Sequence, residues 1–270
     1  MPVRGSQARR SEIVRLARSS GLASVDELST QFGVTPSTIR RDLSLLTSEG
    51  LIARTYGGAI ALERQQESSL RQRALEGYEA KRAIARWAAE QVRPGETVLL
   101  DAGTTVGAMG EFLCDIPGLT VVTAGLTALE ALADADDVRV ECIGGTLRHL
   151  SQGFVGPLAE ATLQRLTFDR AFLGADAVNA ELGICEAELE QTRLKELMID
   201  RAETVYVLAH ADKLGRRPFH AWAPIPPGSV LVTDDSATDA QTSPFNDAGL
   251  RVVRAGSLSR STPGARILAD

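Results

Sequence analysis

The stretch Thr35-Pro36-Ser37-Thr38-Ile39-Arg40-Arg41-Asp42-Leu43 has the pattern of a short helix with two different faces. Thr35 suits the N-cap position, and Pro36 suits the first helical position, where its missing N–H group is not needed. Apolar residues then recur at i, i+4 and i+7, which places one buried stripe along the helix. These apolar residues are Ile39, Leu43 and Leu46.

The other faces of this predicted helix carry hydroxyl groups and arginines. Arginine can read guanine in the major groove of DNA, and hydroxyl groups can reach the phosphates. A helix with one buried apolar face and such a polar face is therefore predicted to contact DNA. The contacting residues would be Thr35, Ser37, Thr38, Arg40, Arg41 and Ser44.

The residues before this helix favour a helix-turn-helix. Ser24 and Glu27 have the spacing of a capping box, which marks the start of a helix. Gly33 supplies a tight turn into the next helix, and the apolar residues within 13–17 predict an earlier helix that Gly21 ends. Three short helices with a glycine turn between the second and third are typical of this DNA-binding motif.

The residues after the helix predict a small β-wing. Gly50 suits a C-cap, and residues 51–56 alternate weakly before Gly57-Gly58. In such a wing Arg54 is predicted to lie near the DNA backbone or minor groove. The alternative is a three-helix bundle that serves only for dimerisation or capping.

Composition is that of an ordinary globular chain of 270 residues, long enough for one large domain and one small domain. No apolar run approaches the ~18 residues that a membrane span needs. The first six residues also lack the apolar centre of a signal peptide. The sequence therefore predicts a cytoplasmic protein with no membrane partner.

Charge is distributed unevenly along the chain. Residues 1–58 carry eight arginines and five acids, a net charge of +3, within a whole chain of net charge −6. The remainder therefore carries −9. A basic head on an acidic body suits a protein whose body avoids DNA. The small positive charge also predicts weak non-specific binding and engagement of DNA by a dimer or tetramer.

Residues 97–253 alternate short β-rich runs with helical stretches, which favours an α/β domain with a mainly parallel sheet. A helix is predicted to begin at Glu79 and to end before Pro94-Gly95. The predicted strands are residues 97–100, 120–123, 139–143, 171–173, 205–208, 230–233 and 250–253. The other predicted helices are residues 105–114, 126–133, 157–166 and 188–201.

Several of these predicted strands end on glycine, threonine, aspartate or lysine. Because ligands bind outside the carboxyl ends of strands in an open α/β sheet, these ends predict one polar pocket. Gly103 would let the backbone approach an anion, and Thr104 and Thr105 would cap a helix or donate hydroxyls. The alternative is a tight turn with an ordinary N-cap. With Lys195 from a helix, the predicted lining is Asp101, Gly103, Thr104, Thr105, Ala124, Gly145, Gly174, Asp176, Lys195 and Lys213.

Other interpretations of the charged residues stay open at this point. Lys195 could lie on a solvated helix face, and Lys213 could belong to a basic loop on the surface. Glu186, Glu188 and Glu190 form an acidic run, which is interpreted as a solvated helix start.

The sequence predicts no cofactor, no metal site and no catalytic residue. Gly103 is not followed by the Gly-Lys-Ser/Thr of a Walker A loop, and the nearby glycines lack the G-x-G-x-x-G spacing of a dinucleotide site. The three cysteines are far apart and contain no C-x-x-C, so neither a disulfide framework nor a zinc site is expected.

The recognition-helix stretch and the wing resemble those of the DeoR family of bacterial transcription regulators. The wing residues that carry this resemblance are Gly50-Leu51-Ile52-Ala53-Arg54-Thr55-Tyr56-Gly57-Gly58-Ala59. The body resembles the DeoR-type sensor domain over most of residues 77–235. The matching segments include Asp101-Ala102-Gly103-Thr104-Thr105, Gly144-Gly145-Thr146-Leu147-Arg148, Gly156-Pro157, Asp169-Arg170-Ala171-Phe172-Leu173-Gly174-Ala175-Asp176, Lys195-Glu196-Leu197-Met198, Asp212-Lys213-Leu214-Gly215 and Thr233-Asp234.

This resemblance implies a sensor fold similar to ribose-phosphate isomerases and coenzyme A transferases. It also implies that a phosphorylated sugar or related metabolite binds there and alters operator binding. Gly103, Thr104 and Thr105 would then hold the phosphate. Asp176, Lys195 and Lys213 would face the sugar.

Three positions depart from the family pattern. His210 stands where an Asp is usual, Ala124 where an Asn is frequent, and Ala177 where a Gly is frequent. A protonated His210 could still contact phosphate, or the ring could pack as a neutral group. The departures at His210 and Ala124 add some weight to a third alternative, a constitutive DNA-binding scaffold whose sensor binds nothing.

The sequence thus predicts a repressor of a carbohydrate-metabolism operon that binds double-stranded operator DNA and responds to a phosphorylated sugar. The alternative from another class is a sugar-phosphate isomerase with a fused DNA-binding head, using Asp176 as base and Lys195 as electrostatic stabiliser. The expected organisation is a winged helix-turn-helix at 1–60, a linker at 61–78, a sensor at 79–255 and a loosely ordered tail at 256–270. A homo-oligomer, dimer or tetramer, is expected.

Overall fold

The computed structural model describes residues 9–10, 12–13, 16, 23–48, 52–55, 58–61, 67 and 70–256. Contacts divide the chain into two compact units, residues 1–66 and residues 67–270. Residues 257–270, where a tail is expected, lie outside the described residues, as do Gly21 and Gly50.

The first unit is a helix-turn-helix. Helix α1 (Val25–Phe32) begins at the predicted capping box, in which Glu27 N donates to Ser24 Oγ at 3.1 Å and Ser24 N donates to Glu27 Oε2 at 2.9 Å. It ends at Gly33, whose φ of 62° lies in the left-handed region that favours glycine. Helix α2 (Pro36–Ser48) follows after two residues. The described residues between 9 and 16 are helical as well.

A small apolar core holds these helices together. The side chains predicted to face inward do so, and none of them is more than 2% exposed. Strands β1 (Ala23–Ser24), β2 (Ile52–Thr55) and β3 (Gly58–Ala61) form an antiparallel sheet in the order β1-β3-β2, which is the predicted wing. The fully buried core residues are Ile13, Leu28, Ile39, Leu43 and Leu46.

The second unit is built on a parallel sheet of seven strands in the order β15-β14-β12-β9-β4-β5-β6. All seven predicted strands are present. Their bounds are β4 (Thr97–Leu100), β5 (Thr120–Thr123), β6 (Arg139–Cys142), β9 (Phe168–Leu173), β12 (Ala202–Leu208), β14 (Val230–Asp234) and β15 (Arg251–Ala255).

Helices cover both faces of this sheet, because alternate strand residues point to opposite sides. In β4, for example, Val98 and Leu100 pack into one apolar cluster, whereas Leu99 packs into the other. The helices are α3 (Leu70–Leu75), α4 (Tyr78–Ala89), α5 (Thr104–Gly107), α6 (Gly110–Leu113), α7 (Leu126–Ala131), α8 (Pro157–Leu163), α9 (Leu189–Asp200) and α10 (Asp239–Asp247).

One helical prediction differs from the structure. The single helix expected over residues 105–114 is divided into α5 and α6, and glycines lie at the division, where their low helix propensity favours a break. The region expected as a helical or extended linker, residues 61–78, includes helix α3, which the contacts group with the second unit.

The amino ends of the central strands are joined by a network around Arg170. Its guanidinium group makes a two-pronged ion pair with Glu96 at 2.8 and 3.0 Å and donates to Tyr206 Oη at 2.8 Å. The Tyr206 ring stacks on Phe172 with centroids 4.8 Å apart. Bidentate pairs of this kind are among the stronger polar contacts in proteins, so this end of the sheet is fixed.

Two smaller sheets lie beside the main one. Strands β10 (Ala177–Asn179), β11 (Gly183–Glu186) and β13 (Ala221–Ala223) pair in that order, and β7 (Thr146–Arg148) pairs with β8 (Gly153–Val155). Strand β11 begins at Gly183, where φ is 97° and an added Cβ would lie 2.0 Å from the carbonyl oxygen of Ala223. Only glycine fits there without moving the backbone.

Within the described residues, no helix has the length and apolar character needed to cross a membrane.

Gly183→Ala is expected to destabilise the second unit by about 3 kcal/mol or more, because left-handed strain and a backbone collision act together. Gly228→Ala is the matched control, since its φ of 89° is similar but an added Cβ meets nothing within 4 Å. The control should cost only about 1 kcal/mol. Urea unfolding of the full chain measures both, and equal losses would contradict the collision.

Candidate functional site

A polar pocket lies at the carboxyl ends of strands β4 and β9 in the second unit. Its walls combine the loops that follow these strands with residues from β11, α3, α9 and the 3₁₀ turn Ala211–Lys213. The lining residues are Arg73, Ala102, Gly103, Thr104, Thr105, Ser151, Gly174, Ala175, Asp176, Glu186, Gln191, Lys195 and Lys213.

A buried lysine holds the floor of this pocket. Lys195, only 3% exposed, donates to the carboxylate of Asp101, to the carbonyl oxygen of Gly174 at 2.8 Å and to Glu186 Oε1 at 3.1 Å. All three protons of the ammonium group are therefore engaged. Lys195 is a buried, paired group rather than a residue on a solvated face.

Asp101 lies beneath the pocket lining and joins two strand ends. Its Oδ1 accepts from Ala102 N at 2.7 Å, and its Oδ2 accepts from Gly174 N at 2.9 Å. One carboxylate thus fixes the loop after β4 against the loop after β9. This makes Asp101 a supporting residue, whereas the sequence placed it in the lining.

Glu186 is buried as well, 4% exposed, although its acidic run was interpreted as a solvated helix start. That interpretation is wrong for Glu186, because β11 pairs on both sides and turns this side chain inward toward Lys195. It holds for Glu188 and Glu190, which are exposed at the start of α9. Burial raises the pKa of Glu186, and the nearby carboxylates add to the effect.

The charges of Glu186 and Lys195 depend on each other. Burial alone would lower the pKa of Lys195, but the carboxylates of Asp101 and Glu186 raise it above its ordinary value. The ammonium form of Lys195 is therefore favoured at neutral pH. Its positive charge is shared between two carboxylates and is not available to a further anion.

A second group of charged side chains in the pocket lining consists of Arg73, Asp176 and Lys213. Arg73 Nη1 donates to Asp176 Oδ1 at 3.1 Å, and Lys213 donates to the carbonyl oxygen of Ala175. Burial, together with the charge of Glu67, raises the pKa of Asp176. Burial lowers the pKa of Lys213 to about 8, and the nearby cations add to this shift.

Several buried polar atoms of the lining have no hydrogen-bond partner among the described residues. They comprise two acceptors, Asp176 Oδ2 and Gln191 Oε1, one donor, Arg73 Nε, and one hydroxyl, Ser151 Oγ. Unpaired buried polar groups are costly, commonly ~1–3 kcal/mol each. Their convergence on one pocket is the pattern of a site that a polar ligand completes.

The backbone at Gly103 is open to the pocket. Its φ of 139° is a conformation that other residues rarely adopt, and an added Cβ would meet nothing within 4 Å. Thr104 and Thr105 follow in the lining. Helix α5 has only four residues, so its dipole is small, and positive charge for an anion is supplied by Lys213 in the lining.

Two predicted residues lie away from the pocket. Ala124, 2% exposed, packs in the apolar cluster around Val122. Gly145 faces β8, since an added Cβ would lie 2.5 Å from the carbonyl oxygen of Val155. Both follow strand ends, but local packing turns them away from the lining. Ala177, another departure from the family pattern, is fully buried in β10.

His210 does not line the pocket either. Its Nδ1 accepts from Asp212 N at 3.4 Å at the start of the 3₁₀ turn, and its Nε2 lies 3.7 Å from Asp234 Oδ1. A Cβ added to Gly77 would lie 3.1 Å from the same ring. His210 thus caps a turn and contacts the residue that precedes α4.

The lining also contains side chains that the sequence did not predict, chiefly Arg73, Ser151, Glu186 and Gln191. Gln191 lies one helical turn before Lys195 in α9 and could have been found from that spacing. Arg73 lies in the expected linker, and no local pattern pointed to it.

In the first unit, helix α2 presents the predicted polar face. Thr35, Ser37, Arg40, Arg41 and Ser44 are exposed and Thr38 is half-buried. The hydroxyl of Thr35 accepts from Thr38 N at 3.3 Å, as an N-cap does. The opposite face packs in the core, and Asp42 is buried in an ion pair with Arg9 at 2.7 Å. Arg54 lies in β2, and its side chain is outside the described part.

Comparisons with known proteins agree for both units. A family model of the DeoR-like helix-turn-helix domain matches residues 9–65, and one of the DeoR C terminal sensor domain matches residues 76–235. The chain is similar to the HTH-type transcriptional regulator GlpR of Haloferax volcanii, with 36% identity over 91% of this chain and 96% of that protein. It is also similar to the glycerol-3-phosphate regulon repressor of Escherichia coli strain K12, with 31% identity over 86% of this chain and 90% of that protein.

A solved structure of D-ribose-5-phosphate isomerase in complex with phospho-erythronic acid is also similar, with 18% identity and a TM-score of 0.38 over 50% of this chain and 53% of that chain. A similarity this low supports no inference about function. The matched family and these relatives are regulators rather than enzymes. The chain belongs to the DeoR family of transcriptional regulators.

Proposed function

We propose that this DNA-binding regulator represses a carbohydrate-metabolism operon and that a phosphorylated sugar, bound in the polar pocket, modulates its binding to operator DNA. The observation that carries the proposal is the set of unpaired polar atoms around the pocket, together with the positive charge of Lys213. Donors, acceptors and cations in one small cavity match a ligand with hydroxyl groups and an anionic end.

The phosphate is proposed to lie against Gly103, Thr104 and Thr105. Gly103 leaves room for close approach of the backbone, the two threonines supply hydroxyl groups, and Lys213 supplies positive charge. Hydroxyl groups of the sugar would donate to Asp176 Oδ2 and to Gln191 Oε1, which lack donors. Ser151 Oγ is a further partner. The similar protein of Escherichia coli strain K12 is a glycerol-3-phosphate regulon repressor, which supports a phosphorylated polyol or sugar as the effector.

Operator DNA is proposed to contact the exposed face of α2 through Thr35, Ser37, Thr38, Arg40, Arg41 and Ser44, with Arg54 from the wing. We propose DNA binding by residues 1–60 and effector binding by residues 79–255. Because repeated half-sites match symmetric proteins, a dimer or tetramer in the cytoplasm is the proposed form.

The alternative, a sugar-phosphate isomerase, is disfavoured by the environment of Lys195. A residue that stabilises developing charge needs a proton directed at the substrate, and the protons of Lys195 are directed at Asp101, Gly174 and Glu186. Its proposed partner Asp176 is bound by Arg73 instead. Incubation with ribose 5-phosphate should therefore yield no ketose.

Arg40→Ala and Arg41→Ala are each expected to weaken operator binding by about 1–3 kcal/mol if the side chain contacts a base pair in two places. DNA selected by the wild-type protein from a random library provides the operator, and gel shift measures affinity. Arg86→Ala is the matched control, because Arg86 pairs with Glu90 on the exposed surface of the second unit. Wild-type affinity in both test variants would show that α2 is not the reading helix.

Phosphorylated ligands alone are expected to stabilise the full chain in thermal unfolding. The panel is glycerol 3-phosphate and ribose 5-phosphate, each beside its unphosphorylated form, with inorganic phosphate added. Saturation to 100 times the Kd should contribute about 2.7 kcal/mol, a shift of roughly 5–10 °C. Lys213→Gln should reduce the shift without removing it, while Arg217→Gln, at an exposed ion pair, should retain it in full. Equal shifts from glycerol and ribose would contradict a phosphate site.

Affinity for the same phosphate ester is expected to fall as pH rises from 7.5 to 9.5. The lowered pKa of Lys213, about 8, means that its charge is present below that pH and lost above it. Above pH 8 the ligand must draw a proton onto Lys213, which weakens binding by up to about tenfold per pH unit. Phosphate esters are already fully ionised in this range. Calorimetry should show this fall in affinity with rising pH in the wild-type protein and no such fall in Lys213→Gln.

A further inference from the structure

The polar pocket is narrow in this structure. Its free volume is about 20 Å³. A single water needs ~10–15 Å³ measured in this way, so a phosphorylated sugar does not fit. Part of the wall must therefore move before such a ligand enters.

The wall that can move is a short segment that we name the strap, Glu67 and helix α3 (Leu70–Leu75). It contributes Arg73, whose guanidinium group reaches Asp176 Oδ1 at 3.1 Å and lies in the pocket lining. Other walls belong to β-strand ends of the main sheet, to β11 and to α9, which the buried charges of Asp101, Glu186 and Lys195 hold together. The strap takes no part in that cluster. The two remaining walls, the turn with Ser151 and the 3₁₀ turn with Lys213, are fixed to the main sheet and to α7: Ala211 N donates to Asp234 Oδ1 at 2.7 Å, and Leu126 N donates to the carbonyl oxygen of Gln152 at 2.9 Å.

The strap is anchored outside the pocket by a few polar contacts. Arg148 on β7 makes a two-pronged ion pair with Glu67, with Nη1 at 2.9 Å from Oε1, and the side chain of Glu67 is 4% exposed. Arg73 Nη2 donates to the carbonyl oxygen of Leu150 at 3.4 Å, and Lys81 donates to the carbonyl oxygen of Arg73. Leu70 N donates to the carbonyl oxygen of Leu150 at 3.2 Å. None of Glu67, Arg148 and Leu150 lines the pocket.

The contacts that the strap makes inside the pocket are incomplete. Asp176 Oδ2 and Arg73 Nε have no partner among the described residues, so the ion pair uses only one oxygen and leaves a buried donor unpaired. There is also space on the other side of α3. A groove of about 180 Å³, lined by Leu70, Ala74, Tyr78, Gly107 and Thr127 among others, adjoins the helix.

We propose that the strap is a plug that the effector displaces. This inference rests on the proposed function and adds its regulation. A polyol phosphate offers Asp176 a hydroxyl donor in place of Arg73, and the strap then leaves the pocket. Residue 67 is the first residue of the second unit, so displacement of the strap alters the segment that leads directly to the DNA-binding unit.

A rigid pocket, in which Arg73 is merely a fixed contact for the ligand, makes a different prediction. In a plugged pocket the apparent Kd equals the intrinsic Kd divided by the open fraction. Weakening an anchor outside the pocket therefore tightens binding. In a rigid pocket the same change affects binding only through charge, which acts in opposite directions for an acid and a base.

The test uses Arg148→Gln and Glu67→Gln in the full chain. One removes a positive charge and the other a negative charge, but both break the same anchor. Calorimetry with glycerol 3-phosphate and ribose 5-phosphate should show Kd values at least about threefold lower in both variants. Arg86→Gln and Glu90→Gln, which break an exposed pair of the same type, should match wild type. Opposite shifts, or no shift, in the test variants would overturn the plug.

A second measurement needs no effector. Ser151, a buried lining residue, is replaced by cysteine in a chain whose Cys114, Cys142 and Cys185 are replaced by serine. Reaction with a thiol reagent should be at least about tenfold faster when either anchor variant is added. An unchanged rate, with urea unfolding showing folded protein, rejects the plug. A faster rate without binding of any sugar phosphate rejects the proposed effector class and leaves the plug standing.

Discussion

The polar site depends on the contacts of one buried group, the ammonium group of Lys195. It compensates the carboxylates of Asp101 and Glu186 and caps the carbonyl of Gly174, so one charge joins β4, β9, β11 and α9. Breaking such a buried arrangement by removing one partner typically costs ~3–5 kcal/mol, because the remaining charges stay in a medium that solvates them poorly. The site is therefore preassembled around a lysine that is itself occupied.

The other charged side chains of the pocket are held less tightly than Lys195, and this difference leaves them able to interact with a ligand. Lys213 donates to a backbone carbonyl, and Arg73 donates to only one of the two carboxylate oxygens of Asp176. Polar groups that lack a hydrogen-bond partner gain most from a ligand, because the ligand supplies the missing hydrogen bond. The first unit is organised similarly: the buried pair of Asp42 and Arg9 supports α2 from behind and leaves its polar face exposed.

The fold could be predicted from the sequence because its signals are local. Apolar runs bounded by glycine marked the strands, and a capping box with a glycine turn marked the helix-turn-helix. The strand-end rule also predicted a pocket in which Thr104 and Asp176 do meet. It failed to predict the approach of Arg73, which depends on where α3 packs. It also placed Ala124 in the lining, and the acidic run placed Glu186 in solvent. The orientation of both side chains depends on strand pairing and on packing against distant residues.

The small volume of the pocket has a consequence for how such a regulator can diverge. If entry of the metabolite requires the strap to leave, the concentration at which repression ends depends on two separable quantities. The lining decides which metabolite is recognised, and the anchor between Glu67 and Arg148 decides how much of it is needed. Substitutions at the anchor would shift the set-point of the response without changing its chemical selectivity, so related genes could acquire different sensitivities to one metabolite through residues that never touch it.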